Sequence, residues 1–363
     1  GAEGRYASTG VMKTMSQSGE FTSTSGGLVC SHHHLYSALA RGMPAPASTP
    51  ASFRQILELI WWRLDTALDL DIIRDSARLG ALEALARGCT AVIDHHESQN
   101  AIEGSIDVIA EACAEVGVRS VCSYGVTDRH GADGARRGLE ENRRFISDGG
   151  RGMVGVHASF TCSDETLESA AGIAEDLGVG VHIHVAEGPD DAGAEERIRH
   201  LARDSWLLVH GVMLPDDHGL QGTIVHNPRS NMNNSVGYAN PARFTNPVAL
   251  GTDGIGADML EEFRLAYVAG RSVDVETSPE AAWGWMENGW RLVPESADDN
   301  VVWASPVFDP WFQAFSTGTS PLSVEVDGEV VWANGAPTRV DEVEVRMKAA
   351  ESARRLFARL EEI

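Results

Sequence analysis

From Leu28 onward, short continuous apolar runs alternate with longer stretches in which apolar residues recur at every third or fourth position. The first pattern suits strands buried on both faces, and the second suits helices with one buried stripe. Eight runs of the first kind are present: Leu28 to His34, Cys89 to His96, Arg119 to Val126, Met153 to Phe160, Val179 to Glu187, Trp206 to Val212, Thr223 to Arg229 and Pro247 to Asp253. Helical spacing fills gaps at Ile72 to Ala86, Ile106 to Val116, Leu167 to Leu177 and Glu195 to Arg203. Glycines at Gly149-Gly150 and at Gly178 and Gly180 stop helices ahead of the next strand. This alternation predicts an α/β fold, a (β/α)8 TIM barrel of parallel strands.

The last third reads differently. A Trp-rich stretch around Trp283, Trp285 and Trp290 reads as core, with stacking against a flat heterocycle as the alternative. A hairpin follows, Leu322 to Val326 and Glu329 to Val331, turning at Asp327-Gly328. Glu342 to Leu360 then has the charged and apolar faces of a terminal helix. The expected organisation is an N-terminal segment, residues 1–25, joining a small β domain, a barrel over residues 26–310, and a hairpin unit with terminal helix over residues 311–363.

Charge narrows the partners. Against 29 basic residues stand 53 acidic ones, for a formal net charge of -24, a field that repels phosphate backbones and anionic bilayers. Neither nucleic acid nor a membrane is an expected partner. The five cysteines, Cys30, Cys89, Cys113, Cys122 and Cys162, form no CxxC pair and fall mostly in apolar stretches, as free thiols of a reducing compartment do. With no long apolar run and no apolar core in the first 25 residues, a cytoplasmic location is expected.

In a barrel, polar residues at the C-terminal strand ends converge on one mouth. The first strand ends in His32-His33-His34, where His32 and His34 face the same way and can share a metal, although a lone His-x-His also occurs as ordinary histidine. The fifth ends in His182-Ile183-His184-Val185-Ala186-Glu187, and either His182 or His184 can ligate or simply hydrogen-bond in the core. The eighth carries Asp253 out of a buried strand, which is costly unless a cation meets it. Its alternative is a helix cap. Nitrogen and oxygen ligands with an open position describe one catalytic divalent metal, zinc first and iron or manganese next, which generates hydroxide near neutral pH.

Glu187 is placed to carry a proton from that water to a leaving group, and His210, ending the sixth strand, to orient the water or stabilise negative charge. His157 after the fourth strand and Asn227, Arg229 and Asn231 after the seventh are placed to surround a substrate. Asp94-His95-His96 reads as support for the centre, and His33, His130, His200 and His218 as ordinary. No GxGxxG opens a first βα unit, and neither GxxxxGK[ST] nor GxSxG is present, which sets aside phosphate-cradling and serine-hydrolase chemistry.

Gly27-Leu28-Val29-Cys30-Ser31-His32-His33-His34-Leu35-Tyr36, with Ala40-Arg41-Gly42-Met43, resembles the first-strand motif of the amidohydrolase superfamily, in its cytosine-deaminase-like branch with guanine deaminase and the triazine hydrolases. Ile93-Asp94-His95-His96-Glu97, Val156-His157-Ala158-Ser159, the His182 to Glu187 run and Asn227-Pro228-Arg229-Ser230-Asn231-Met232-Asn233-Asn234 are most similar to its SsnA-type aminohydrolases. The likeness runs from about residue 25 to 270. It implies His32, His34, His184 and Asp253 as ligands of one divalent metal, Glu187 as proton shuttle, His210 as a contact to water or substrate, and His157 as a substrate contact. It also implies His184 over His182, through the His-x-x-Glu spacing.

The 31 residues before His32 are fewer than the family's usual N-terminal strands, Gly26 stands where proline is usual, and the Trp290 to Val301 link lacks a glycine-rich stretch. A reduced β-sandwich appendage from N- and C-terminal segments is therefore expected. The implied activity is hydrolytic deamination of an aminated N-heterocycle: a purine, pyrimidine, pterin or triazine. Cleavage of an acyclic or small peptide-like amide in natural-product biosynthesis is the alternative in the same fold, and a degenerate metal-free barrel acting as a binding scaffold is a third. A homo-oligomer is expected by analogy.

Overall fold

The computed structural model describes residues 14–15 and 21–363, so most of the expected N-terminal segment 1–25 lies outside the described residues. Each of the eight apolar runs carries a strand: β1 Leu28–His34, β2 Cys89–His96, β3 Arg119–Tyr124, β4 Val154–Ala158, β5 Val181–Val185, β6 Leu207–His210, β7 Thr223–His226 and β8 Val248–Leu250. All but β3 are buried at every position, which is why they read as unbroken apolar runs.

These strands pair in parallel as two sheets, β8-β7-β6-β5-β4 and β3-β2-β1, the latter flanked by the short strand Asp253–Gly254. Between β3 and β4 run parallel bridges at Cys122 with Gly152 and Val126 with Val156. The eighth run splits: β8 pairs with β7, whereas Thr252 donates its N–H to the His32 carbonyl at 3.1 Å and Asp253 lies beside β1. The result is a TIM-barrel-like α/β arrangement whose ladder forms two sheets rather than the single ring expected. The split has a local cause. Asp253 adopts a left-handed backbone with φ 58°, and a Cβ on Gly251 would stand 2.8 Å from the backbone nitrogen of His32, so glycine permits the close approach.

Helices lie where the spacing predicts, at Leu70–Leu85, Ser105–Val116 and Asp164–Leu177. Asp69 and Ser163 accept from the backbone N–H of Ile72 and Thr166 in the first turns, and left-handed Gly117 and Gly178 end the second and third helices. The stretch from Glu195 to Arg203 is helical only over Ala194–Ile198, because Leu201 N–H bonds to the Ile198 carbonyl and tightens the chain into a turn.

Beneath the strands, N- and C-terminal segments share one antiparallel six-stranded sheet, ordered Thr14–Met15, Phe21–Ser25, Asn300–Trp303, Pro321–Val326, Glu329–Ala333 and Ala336–Pro337. Among the described residues this single sheet stands where the reduced β-sandwich appendage is expected. Its buried residues Val301, Trp303, Val324, Val326 and Val331 join the same core as the barrel helices, so those helices supply the covering layer. The terminal helix Glu342–Glu362 adds Val345, Ala349, Leu356 and Leu360 to that core. Trp283 packs there too, 5.1 Å from Phe263 and from Phe308 between ring centres. Among the described residues no helix is long and apolar enough to cross a membrane.

Candidate metal centre

Two residues apart on β1, His32 and His34 point to the same side, and β5 brings His184 to face them. Nε2 of His184 lies 3.3 Å from Nε2 of His32 and 3.3 Å from Nε2 of His34. Asp253 closes the fourth side, its Oδ1 3.4 Å from Nε2 of His32 and 3.1 Å from Nε2 of His34. The donor atoms of all four fall within 4.8 Å of one another.

Partners at the outward ring nitrogens decide what the inward ones present. His34 Nδ1 donates to the His95 carbonyl at 2.5 Å and His184 Nδ1 to the His157 carbonyl at 2.6 Å. A carbonyl only accepts, so each neutral ring keeps a bare lone pair on Nε2. For His32 the argument runs through two further residues. Ser123 gives its hydroxyl proton to the Asp94 carbonyl at 2.9 Å, and so accepts from His182 Nδ1 at 3.3 Å. His182 Nε2 then accepts from His32 Nδ1 at 2.8 Å, and His32 also turns a bare Nε2 inward. With all three rings neutral, three lone pairs and a carboxylate converge on one point, which a proton on His34 or a cation can fill.

Such a point draws positive charge. Burial drives the His32 and His184 imidazoles well below their usual range. Burial opposes charge on His34 as well, yet the hydrogen bond and charge of Asp253 outweigh it and push that imidazole up to about 9. Asp253, against its own burial, is held well below the carboxylate range by His32 and His34. Three imidazole nitrogens and one carboxylate oxygen fit a divalent metal that keeps a position open for water.

Beside this set, Glu187, His210 and the second oxygen of Asp253 form an adjoining cluster. His210 Nε2 stands 3.5 Å from Glu187 Oε2 and 3.9 Å from Asp253 Oδ2. Its Nδ1 donates to Asn231 Oδ1 at 2.7 Å, which leaves Nε2 buried and without a hydrogen-bond partner. Glu187 accepts from Asn234 Nδ2 at 3.3 Å, and burial pushes its carboxyl up to about 7. A group of that acidity can take and return a proton near neutral pH. Ala186, His210 and Asp253 all hold left-handed backbones, with φ of 50°, 73° and 58°, so strain collects where these strand ends meet.

His157 and Arg229 line a cavity of about 220 Å3 over this cluster. Arg229 is engaged by Glu262 at 2.8 Å and by the Thr252 carbonyl at 3.2 Å. Asn227 and Asn231 stand elsewhere than a substrate contact requires: both are buried behind His210, Asn231 on its Nδ1 and Asn227 Nδ2 3.4 Å from the same nitrogen. Neither is on the cavity wall among the described residues. His95 supports the centre through its carbonyl, and Asp94 accepts from the Leu35 N–H at 2.6 Å.

Strand-end reasoning does not foresee the opposite wall, because a connecting segment builds it. Over Leu57–Trp61 the helix widens into a π-turn, with Trp62 N–H reaching back to the Leu57 carbonyl, and both Trp61 and Trp62 reach the cavity. Tyr36, Glu97 and Phe160 line the cavity with them. Arg129 lies 4.3 Å from the Trp62 ring centre and pairs with Asp65 at 3.0 Å and Glu97 at 2.8 Å. The adjacent tryptophans and the Glu97 that follows β2 are the signals in the sequence that point there.

Residues 25–282 match the model of the Amidohydrolase family. The chain is 30% identical over 381 positions to a 5'-deoxyadenosine deaminase from Methanopyrus kandleri, covering 91% of this chain and 86% of that one. An atrazine chlorohydrolase from Arthrobacter aurescens complexed with zinc has a TM-score of 0.76 at 21% identity, over 92% of this chain and 89% of the other. An adenosine deaminase from Xanthomonas campestris with bound zinc has a TM-score of 0.76 at 21% identity, over 92% and 85%. The two structures speak for the fold, and the family match spans most of the sequence: the chain belongs to the amidohydrolase family.

Proposed function

We propose that this protein is a divalent-metal hydrolase, with zinc as its metal, that removes an amino group from a ring carbon of an aminated N-heterocycle and releases ammonia. The observation that carries this reading is the convergence of three bare imidazole nitrogens and Asp253, with Glu187 and His210 alongside. Relatives named for deoxyadenosine and adenosine favour an aminopurine, free or as a nucleoside, among purines, pyrimidines, pterins and triazines.

In this reading His32, His34, His184 and Asp253 hold the metal, which when bound lowers the pKa of water to about 7. Glu187 takes a proton from the attacking water on Oε2, the oxygen facing His210, and delivers it to the exocyclic nitrogen. The bare Nε2 of His210 accepts a hydrogen from that water and orients it, while Asn231 keeps the ring in the required tautomer. Oxygen bonds to the ring carbon, the C–N bond breaks as ammonia leaves, and the second proton of the water ends on the adjacent ring nitrogen, so that N=C–NH2 becomes HN–C=O. His157 and Arg229 line the space that receives the ring. The two parallel sheets then act as one barrel closed between β8 and β1, with the six-stranded sheet as its reduced sandwich appendage.

Ammonia release from a panel of aminated purines, pyrimidines, pterins and triazines tests this, with zinc-loaded protein beside its Glu187→Gln variant. Release by the parent with at least about a hundredfold loss in the variant supports the mechanism. Near-normal turnover by the variant overturns the role of Glu187. Silence across the panel with metal bound turns attention to acyclic and peptide-like amides, and failure to hold stoichiometric metal turns it to a binding scaffold.

A further inference from the structure

We infer that Asp191 is a positioning residue for the proton shuttle: its carboxyl holds the left-handed Ala186 that aims Glu187 into the site. This rests on the deaminase reading and deepens it. Ala186 is fully buried with φ 50°, where the Cβ of an alanine crowds its own backbone, so its surroundings must hold it there. Both peptide groups flanking it are tied. In the first, the Val185 carbonyl accepts from the Gly211 N–H at 3.0 Å, and the Ala186 N–H donates to Asp191 Oδ2 at 2.7 Å. In the second, the Ala186 carbonyl accepts from the Met213 N–H at 2.7 Å. With both planes held, φ and ψ of Ala186 are set, and with them the direction in which Glu187 leaves the chain. Backbone supplies the partners on the Gly211 and Met213 side, and Asp191 supplies the one that comes from a side chain.

Glu187 depends on that direction. Among the described residues its side chain has one hydrogen bond, from Asn234 at 3.3 Å, which is long. The backbone, more than any side-chain anchor, therefore brings its Oε2 to 3.5 Å from His210 Nε2. Past it, Gly188 packs so close to Phe53 that a Cβ would stand 2.6 Å from Cδ1, and the turn Pro189–Asp191 brings the chain back. Glu187 is thus on a loop that the Asp191 carboxyl closes at Ala186.

The rest of Asp191 fits this task. An acidic residue in a short turn commonly caps a helix, but Gly188 and Gly193 hold the capping positions here and Asp191 caps neither helix. It is 4% exposed and lies on the cavity wall with Phe160. Its Oδ1 accepts from the Phe160 N–H at 3.1 Å and meets the Ser159 hydroxyl, so one carboxyl ties the exits of β4 and β5 together. Whichever of Asp191 and Ser159 carries the proton between them, both amides keep an acceptor oxygen. Asp190, next to it, is exposed and serves as the control.

The test uses metal-loaded protein and the ring of the panel that releases ammonia fastest. Asp191→Asn keeps the size of the side chain but turns an NH2 group toward one of the two amides. Its kcat is expected to fall by about 10- to 100-fold, with KM changed by less than about threefold, because a misaimed group costs rate rather than binding. Metal content by elemental analysis stays at the parent's value, and Asp190→Asn keeps the parent's kcat. In a Glu187→Gln background the same Asp191→Asn change lowers the residual rate by less than about threefold, since an aim that serves the shuttle is lost with the shuttle. Ala186→Gly, which takes a left-handed backbone freely, restores at least about threefold of the kcat lost in Asp191→Asn. Thermal melting establishes that each variant is folded, and if Asp191→Asn alone is not, its combination with Ala186→Gly takes its place in both backgrounds.

An unchanged kcat in Asp191→Asn, a loss carried by KM or by metal content, a loss of full size on top of Glu187→Gln, or no recovery with Ala186→Gly overturns this role and leaves the deaminase reading standing. Silence of the parent on every ring overturns that reading, and this role with it.

Discussion

The two ends of the barrel strands are built differently. At the N-terminal ends, Trp303 Nε1 donates to Ser25 Oγ at 2.8 Å while its ring stacks on Phe308 at 4.6 Å, and Trp290 Nε1 donates to the Gly27 carbonyl at 2.7 Å. Arg119 holds both oxygens of Asp299 at 2.5 and 2.8 Å. At the C-terminal ends, His210 Nε2, both ring nitrogens of His95 and Asn227 Oδ1 are buried without partners, and three non-glycine residues hold left-handed backbones. Buried unpaired groups and strained backbone oppose folding. The floor carries such groups too, in Thr90 Oγ1, Ser296 Oγ and Trp332 Nε1 and in left-handed turns at Asp327 and Asn334. Those at the mouth, however, include imidazoles set beside carboxylates, which teaches that the floor serves stability and the mouth reactivity.

If the two ends are separable in this way, changes at each should move one property and spare the other. The largest effect is expected at the mouth: Glu187→Gln lowers kcat by about a hundred- to ten-thousand-fold with an unchanged unfolding midpoint. A stability loss without a rate loss would break the separation. On the floor, Trp303→Ala costs about 3 to 5 kcal/mol in urea denaturation, because a fully buried indole is removed, while kcat/KM per folded molecule is retained. Asn231→Ala sharpens the picture within the mouth. It frees His210 to change tautomer and lowers activity by about 10- to 100-fold, with metal content unchanged by elemental analysis.

The smallest effect is a pH slope. Burial pushes the Asp94 carboxyl from 3.8 up to about 7. Between those values the folded chain keeps a proton that the unfolded chain has lost, so this group's contribution is greatest below 3.8 and falls as pH rises toward about 7. Asp94→Asn keeps an acceptor for the Leu35 N–H and should flatten the fall in denaturation midpoint between about pH 4 and pH 7. An unchanged slope would remove Asp94 from the account.

Most of this architecture is legible in the sequence because strands buried on both faces must be apolar throughout, leaving polar residues only where they emerge. His32, His34, His184 and Asp253 stand out for that reason. What holds them is not legible: the acceptors for His34 and His184 are backbone carbonyls of His95 and His157, which any residue would offer. Asn227 and Asn231 look like substrate contacts along the chain, and only the fold turns them onto His210. The single sheet is equally hidden, since a strand's pattern marks one face for burial without saying whether a sheet or a helix will cover it. Trp283, Trp285 and Trp290 announce themselves as a cluster, yet Trp61 and Trp62 form the aromatic wall of the cavity.

The π-turn at Leu57–Trp61 sets the phase of everything that follows it in that segment. A regular helix advances about 100° per residue, so a single residue gained or lost rotates the next turn by more than a quarter circle. The π-turn can give up one residue and close to a regular turn, so the change that would swing Trp62 off the cavity and carry Asp65 away from Arg129 is a residue gained or lost in the regular turn before it, Phe53–Ile56. The shape of this cavity is therefore tunable by segment length alone, with His32, His34, His184 and Asp253 left in place.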